Sequence, residues 1–274
     1  MPTTASMTAT KKAMVRLVRA PAQMRAHKSC PMELEPQRKP CCPGAMLSEF
    51  HTLDGLERSL LPGEMLDQIY AISRSTGERV SNVVVMGTGE PMDNYDNLLQ
   101  FIRMLSDENG LNISQRNITV STCGIVENMR RLADEGLQIT LALSLHGSTQ
   151  QKRQELMPIA NKYDIHEVID ACRYYFDKTG RRVTFEYSLV GGVNDTDEDA
   201  ENLSNLIQDI NCHVNLIPVN PIKERDYVES ERSAVLNFQN KLTKRHINAT
   251  VRREMGRDID GACGQLRRRK MHQD

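Results

Sequence analysis

The sequence predicts an α/β fold built from parallel βα units, a whole or partial barrel, and three observations predict it. From residue 53 onward, short β-branched runs alternate with amphipathic stretches of about a dozen residues, the pattern of stacked βα units. Several of the runs read as apolar on both faces, as a buried parallel sheet requires. No repeat or low-complexity tract interrupts the series.

In chain order the predicted strands are residues 82–86 (NVVVM), 117–120 (NITV), 138–145 (QITLALSL), 182–190 (RVTFEYSLV), 213–219 (HVNLIPV) and 249–252 (ATVR). Helices fit residues 63–75, 94–105, 126–134, 197–210 and 229–242 between them. A further helix opens at Asp164, with Glu167 three residues on as a capping box. Its stripe is Ile165, Val168, Ile169, Cys172 and Phe176, and Gly180 ends it, so Cys172 reads as a small core residue.

The first 49 residues differ in composition. They hold six of the eleven prolines, six of the fourteen methionines, three of the seven cysteines and no aromatic residue. No acidic residue precedes Glu33, whereas Lys11, Lys12, Arg16, Arg19, Arg25 and Lys28 all do. A basic, acid-poor stretch is compatible with an organellar transit peptide, and equally with a disordered segment or one foreign to the domain. We therefore divide the chain into an anomalous segment at residues 1–51 and a barrel-like domain at 52–274.

Thirty-five basic against 36 acidic side chains give a formal net charge of −1, so any basic surface is local. The composition, 39% hydrophobic and 26% charged, excludes a fibre, a membrane span and a disulfide mini-protein. Seven cysteines, an odd number at irregular spacing, point to a reducing compartment, where thiols serve packing, metal or catalysis. Cytoplasmic localisation without membrane attachment is the expectation.

In parallel βα folds the chemistry sits on the loops leaving the carboxyl ends of the strands. Those loops carry Gly87-Thr88-Gly89-Glu90-Pro91, Ser121-Thr122-Cys123-Gly124, Ser144-Leu145-His146-Gly147, Gly191-Gly192-Val193-Asn194-Asp195 and Asn220-Pro221. The last strand runs into Gly256-Arg257-Asp258-Ile259-Asp260-Gly261-Ala262-Cys263-Gly264-Gln265. Glu90 follows a glycine pair that lets a ligand approach the backbone, and its carboxylate suits a substrate ammonium. Each residue also has a structural reading. GTGEP makes a tight turn, Ser121 and Ser144 cap the helices after them, His146 starts a helix, and Asn220 before Pro221 is turn chemistry. Cys123 and Cys212 adjoin strand ends and read as packing thiols. Cys263 differs: no apolar stripe claims it, and Arg252, Arg253 and Arg257 lie close in sequence, where positive charge favours the nucleophilic thiolate.

The runs VVVMGTGEPMDNYDNLL, ITVSTCGIVENMRRLADEG, LALSLHGSTQQKRQELMPIANKYDI, VNLIPVNPI and RDIDGACGQL, in this order, resemble the RlmN-type radical S-adenosylmethionine (SAM) RNA methyltransferases over about residues 52–270. The resemblance implies a radical SAM partial (β/α) barrel. It implies methylation of carbon 2 of an adenine in large-subunit rRNA and in the tRNA anticodon region, with a 4Fe-4S cluster as second cofactor and an external reductant. It implies that Gly89 and Glu90 bind SAM, with Ser121, the Ser144-Leu145-His146 strand end and Asn220 completing the pocket. By the same resemblance Cys263 is the methyl-accepting cysteine, methylated by one SAM before a radical from a second carries the carbon to the base. The division has chemical sense, because carbon 2 of adenine is not nucleophilic and a thiolate is. A monomer is expected.

The chain also departs from that family. A C-x3-C-x2-C run holds the cluster there, and no such spacing exists here. Counting back from Thr52-Leu53-Asp54-Gly55, the three ligand positions fall on Cys42, Met46 and Glu49, so no metal ligand set is assigned. The first barrel strand and the N-terminal RNA-associated domain have no visible counterpart, which is the pattern a frameshifted reading frame would give for residues 1–49. Two other functions stay open: a non-catalytic remnant that still binds SAM or RNA, consistent with the basic tail Arg267-Arg268-Arg269-Lys270, and an unrelated barrel enzyme such as an aldolase. The latter needs a lysine at a strand end, and none is there.

Overall fold

The computed structural model describes residues 59–86, 89–219 and 227–252, and the backbone of 14–16. Within these, β1 (Met14–Arg16), β2 (Asn82–Val85), β3 (Ile118–Thr122), β4 (Thr140–Ser144), β5 (Val183–Gly191), β6 (Cys212–Pro218) and β8 (Asn248–Val251) line up in the order β1-β2-β3-β4-β5-β6-β8. Every neighbouring pair along this path is parallel. The short strand β7 (Val228–Glu229) stands off the path and pairs antiparallel with the end of β5. Connections between successive strands pass through α1 (Pro62–Thr76), α2 (Tyr95–Ser106), α3 (Val126–Asp134), α4 (Gln150–Leu156) with α5 (Ile165–Thr179), α6 (Asp197–Ile207) and α7 (Arg232–Lys244). Among the described residues β1 and β8 are the two edges, so the barrel is partial.

The helix boundaries follow local chemistry. α1 starts on Pro62, whose fixed φ suits a first turn, and stops at Gly77 with φ +70°. α5 has the expected capping box, with the Asp164 carboxylate accepting from the His166 N–H at 2.8 Å and Glu167 from the Asp164 N–H at 3.3 Å. Its buried stripe is Ile165, Val168, Ile169, Cys172 and Tyr175. Tyr175 takes the place expected for Phe176 because its hydroxyl reaches the Ile139 carbonyl at 3.0 Å, which satisfies its polar end inside the core.

Four expectations need correction. The missing first strand is supplied at the sheet edge by β1, which pairs Met14 with Asn82 and Arg16 with Val84. Three residues give no readable alternation, yet an exposed parallel edge offers N–H and C=O groups that an extended segment can pair with. α4 is an addition to the predicted helices, because its sequence QQKRQEL has no apolar stripe to announce it. α7 begins at Arg232, since Val228 and Glu229 are drawn into β7.

The fourth correction concerns the sheet, whose inner face is mixed: Val84, Ala142 and Ile217 lie there, but most of its other residues are polar. In register, Ser121 lies beside Ala142, Thr184, His213 and Asn248, while Ser144 lies beside Glu186, Asn215 and Thr250. The alternate residues Val83, Val120, Leu141, Leu143, Val183, Phe185, Val214 and Leu216 are buried in one core with the helices. Helices cover the outer face, whereas the inner face of a barrel left open between β1 and β8 is not closed into a packed interior and carries polar side chains. No helix among the described residues is long and apolar enough to cross a membrane.

Candidate cofactor site at the rim of the half barrel

The carboxyl ends of β2, β3 and β4 lie side by side, and this brings Gly89, Glu90, Ser121, Ser144, Leu145 and His146 to one rim. Asn220 and Cys263 lie outside the described residues, as do Cys42, Met46 and Glu49. Ser121 and Ser144 share the inner face of the sheet. Neither caps a helix: Ile125 is the N-cap residue of α3, and the Thr149 hydroxyl caps α4 by accepting from the Lys152 N–H. No hydrogen bond from either serine hydroxyl is seen among the described residues, Ser144 is half-buried, and both present donors to the concave side. Leu145 is fully buried in the core, so only its backbone can serve a ligand.

Glu90 does not offer its carboxyl as expected. It is buried, and both oxygens already accept from the chain's own backbone, from the Met92 N–H at 2.9 Å and the Cys123 N–H at 2.7 Å. Burial raises its pKa, against the pull of its bonds from Cys123, Met92 and Thr122. The carboxyl therefore builds the rim by tying the loop after β2 to the loop after β3.

His146 holds the left-handed conformation at φ +54°. Its Nδ1 accepts the Ser188 N–H at 3.0 Å, which leaves the proton on Nε2. Burial, aided by the nearby positive Arg153, pulls its pKa from 6.5 to about 3, so the ring is a neutral hydrogen-bond donor at physiological pH. Its carbonyl accepts from Asn194 Nδ2 at 2.8 Å, and fully buried Asn194 also donates to the Ser188 carbonyl at 2.7 Å and accepts from the Val190 N–H at 2.7 Å. Asn194 thus joins the β4 and β5 loops.

Sequence reasoning missed two further sets of residues. Glu186 on the inner face accepts from Asn215 Nδ2 at 2.7 Å, in line with Ser144. Asp199 accepts from Ser148 at 2.5 Å, from Thr196 at 2.6 Å and from Lys152 at 2.7 Å, which pins the start of α6 to the β4 loop. Lone polar residues inside a strand or a first helical turn give no signal of partners so far off in sequence.

The donor set at the rim fits a nucleoside-bearing cofactor: hydroxyls at Ser121 and Ser144, an imidazole N–H at His146 and glycine-flanked backbone. It does not extend to an iron–sulfur cluster. Cys123, Cys172 and Cys212 are buried thiols in no disulfide, and burial raises the pKa of Cys172 and pushes Cys212 up to about 11. Among the described residues no three His, Cys, Asp or Glu side chains converge as a metal site.

A parallel partial barrel with polar side chains gathered at the carboxyl ends of its strands is the architecture of enzymes whose sites are built on those loops. A sequence model of the Radical SAM superfamily matches residues 41–207. The chain belongs to the Radical SAM superfamily. It is 66% identical over 220 residues to a protein of Lachnospira eligens named probable dual-specificity RNA methyltransferase RlmN, a match covering 80% of this chain and 63% of that protein. A Clostridium perfringens protein of the same name is 55% identical over 217 residues, covering 79% of this chain and 62% of that one. The chain thus spans less than two thirds of the length of these curated relatives. A radical SAM methyltransferase from Sphaerobacter thermophilus superposes with a TM-score of 0.77 at 43% identity, covering 82% of this chain and 67% of that chain.

Proposed function

We propose that this chain carries the SAM-binding and methyl-accepting core of a dual-specificity RNA methyltransferase that acts on carbon 2 of adenine in rRNA and tRNA. The observation that carries the reading is the rim itself, where Ser121, Ser144 and His146 meet on a half barrel like that of the Sphaerobacter methyltransferase. When bound, SAM supplies a sulfonium methyl group. The residues orient it: Gly89 and Glu90 through backbone, the two serines through hydroxyls, His146 as a neutral donor, and Asn220 as a further polar contact. Cys263 is the methyl acceptor, its thiolate being the form that can displace the sulfonium methyl. Cytoplasmic localisation, action as a monomer and an external reductant belong to the same proposal.

The cluster is where the residues do not fit, because one cysteine, Cys42, stands where the family spacing needs three. No radical step is therefore assigned to this chain, and that mismatch favours a second reading, a remnant that binds SAM or RNA without completing the reaction. We further propose that residues 1–49 come from a different reading frame, supported by their composition, although β1 and the start of the superfamily match at residue 41 both lie inside that segment. Resequencing the gene tests this, and a confirmed natural frame refutes it.

Two measurements separate the readings. Anaerobic iron–sulfur reconstitution that gives visible cluster absorbance supports the full activity, and its failure leaves the remnant. Mass spectrometry of protein from SAM-replete cells is expected to show a methylated Cys263 peptide, and an unmodified peptide counts against even the first methyl transfer.

A further inference from the structure

Arg153 projects from the short helix α4 and has no exposed surface. Its Nη2 donates to the Cys123 carbonyl oxygen at 2.7 Å, and its Nε and Nη1 carry no hydrogen bond among the described residues. Burying a guanidinium so sparsely bonded is costly, and an aliphatic side chain would stabilise the fold at least as well. The surroundings are nonetheless built to admit it. A Cβ at Gly147 would lie 2.6 Å from the Arg153 amide nitrogen. A Cβ at Gly124, where φ is +103°, would lie 3.2 Å from Arg153 Nη2 and 2.9 Å from Val168. Gly124 thus leaves room for the guanidinium, while Gly147 lets the loop after β4 pack directly on the backbone of α4 at Arg153.

The backbone of Cys123 is gripped from both directions. Its N–H donates to the Glu90 carboxyl and its carbonyl accepts from Arg153. The loops leaving β2 and β3 are joined through this one residue to α4, which follows the β4 loop and packs against Gly147, next to His146. The guanidinium lies among Leu143 and Val168, on the helix side of the sheet and behind the face that carries Ser121 and Ser144.

We propose that Arg153 is a positioning residue which, with Glu90, clamps the Cys123 backbone and so holds three rim loops in the arrangement that receives SAM, without touching SAM itself. This rests on the reading of the rim as a SAM site, so the test has two arms. In the first, amide hydrogen exchange of the full chain is followed at Cys123 and Gly124 in R153Q, in R153K and in V235A, a destabilising change in remote α7. Exchange there is expected to rise about tenfold in R153Q, the equivalent of one charge-assisted hydrogen bond, and less in R153K, with no such rise in V235A at matched thermal stability. R153K keeps the test decisive if R153Q fails to fold. In the second arm, calorimetric titration with SAM is expected to show a dissociation constant raised about tenfold in R153Q at a temperature where it is folded. Unchanged protection of Cys123 in both Arg153 variants overturns the clamp. A faster-exchanging Cys123 with native SAM affinity overturns its role for the cofactor. A native chain that takes up no SAM defeats the functional reading instead, and the exchange arm still decides the clamp.

Discussion

Lowering the pH should destabilise this protein through His146, and the size of the effect follows from the structure. The ring is buried, its Nδ1 is occupied by the Ser188 N–H, and burial together with Arg153 holds its pKa at about 3 against 6.5 for an ordinary histidine. The folded value lies below the unfolded one, so the unfolded chain takes up the proton first as the pH falls. His146 therefore contributes its full stability above pH 6.5 and loses it progressively between 6.5 and about 3. From about pH 7.5 to about pH 5.5 the loss is about 1.4 kcal/mol, one decade of proton binding to the unfolded state. The comparison is His146→Asn, since asparagine tolerates the positive φ of this position and does not titrate. Urea unfolding of both proteins at the two pH values gives the answer, with other titrating groups cancelling in the difference. The native chain should lose about 1.4 kcal/mol more than the variant over this interval. Equal losses in the two proteins would refute the buried neutral imidazole.

Two further outcomes test the polar interior. Asp199→Asn should cost about 2 kcal/mol near neutral pH by urea unfolding, because hydrogen bonds from Lys152, Ser148 and Thr196 are made to a charged acceptor. Burial alone would raise the Asp199 pKa, yet those bonds hold it below 3.8, so the stabilisation exists above that value and the difference between native and variant should shrink as the pH falls below it. Tyr175→Phe should cost about 1 kcal/mol by the same measurement, since the buried hydroxyl is bonded to the Ile139 carbonyl and its removal leaves that acceptor without it.

Much of the architecture is legible in the linear pattern. The alternation of β-branched runs with helical stripes places six strands to within a few residues and the helix at 126–134, and the helix after Asp164 is where its capping box and Gly180 put it. These signals are local: a capping box, a proline at N1 and a left-handed glycine act within a turn or two of themselves. That Gly89, Glu90, Ser121, Ser144, Leu145 and His146 share one rim is legible too, because each follows or ends a strand and parallel strands bring their carboxyl ends together. What a strand such as TLALS or VTFEYSLVG does not reveal is which neighbours its alternate residues will join.

Here the sequence alone determined the order of six strands and six helices, the strand ends that share a rim, and the lack of a three-cysteine cluster run. Tertiary structure decided the rest. Only the parallel register puts Ser144, Glu186, Asn215 and Thr250 in one row and leaves the inner face mostly polar. Only packing turned the Glu90 carboxyl inward onto Cys123 and placed Arg153 behind it, 30 residues away in sequence from the carbonyl it holds. The physical reason is that periodicity records how much of a side chain is buried, whereas a buried polar group's partner is set by which loops the sheet brings together.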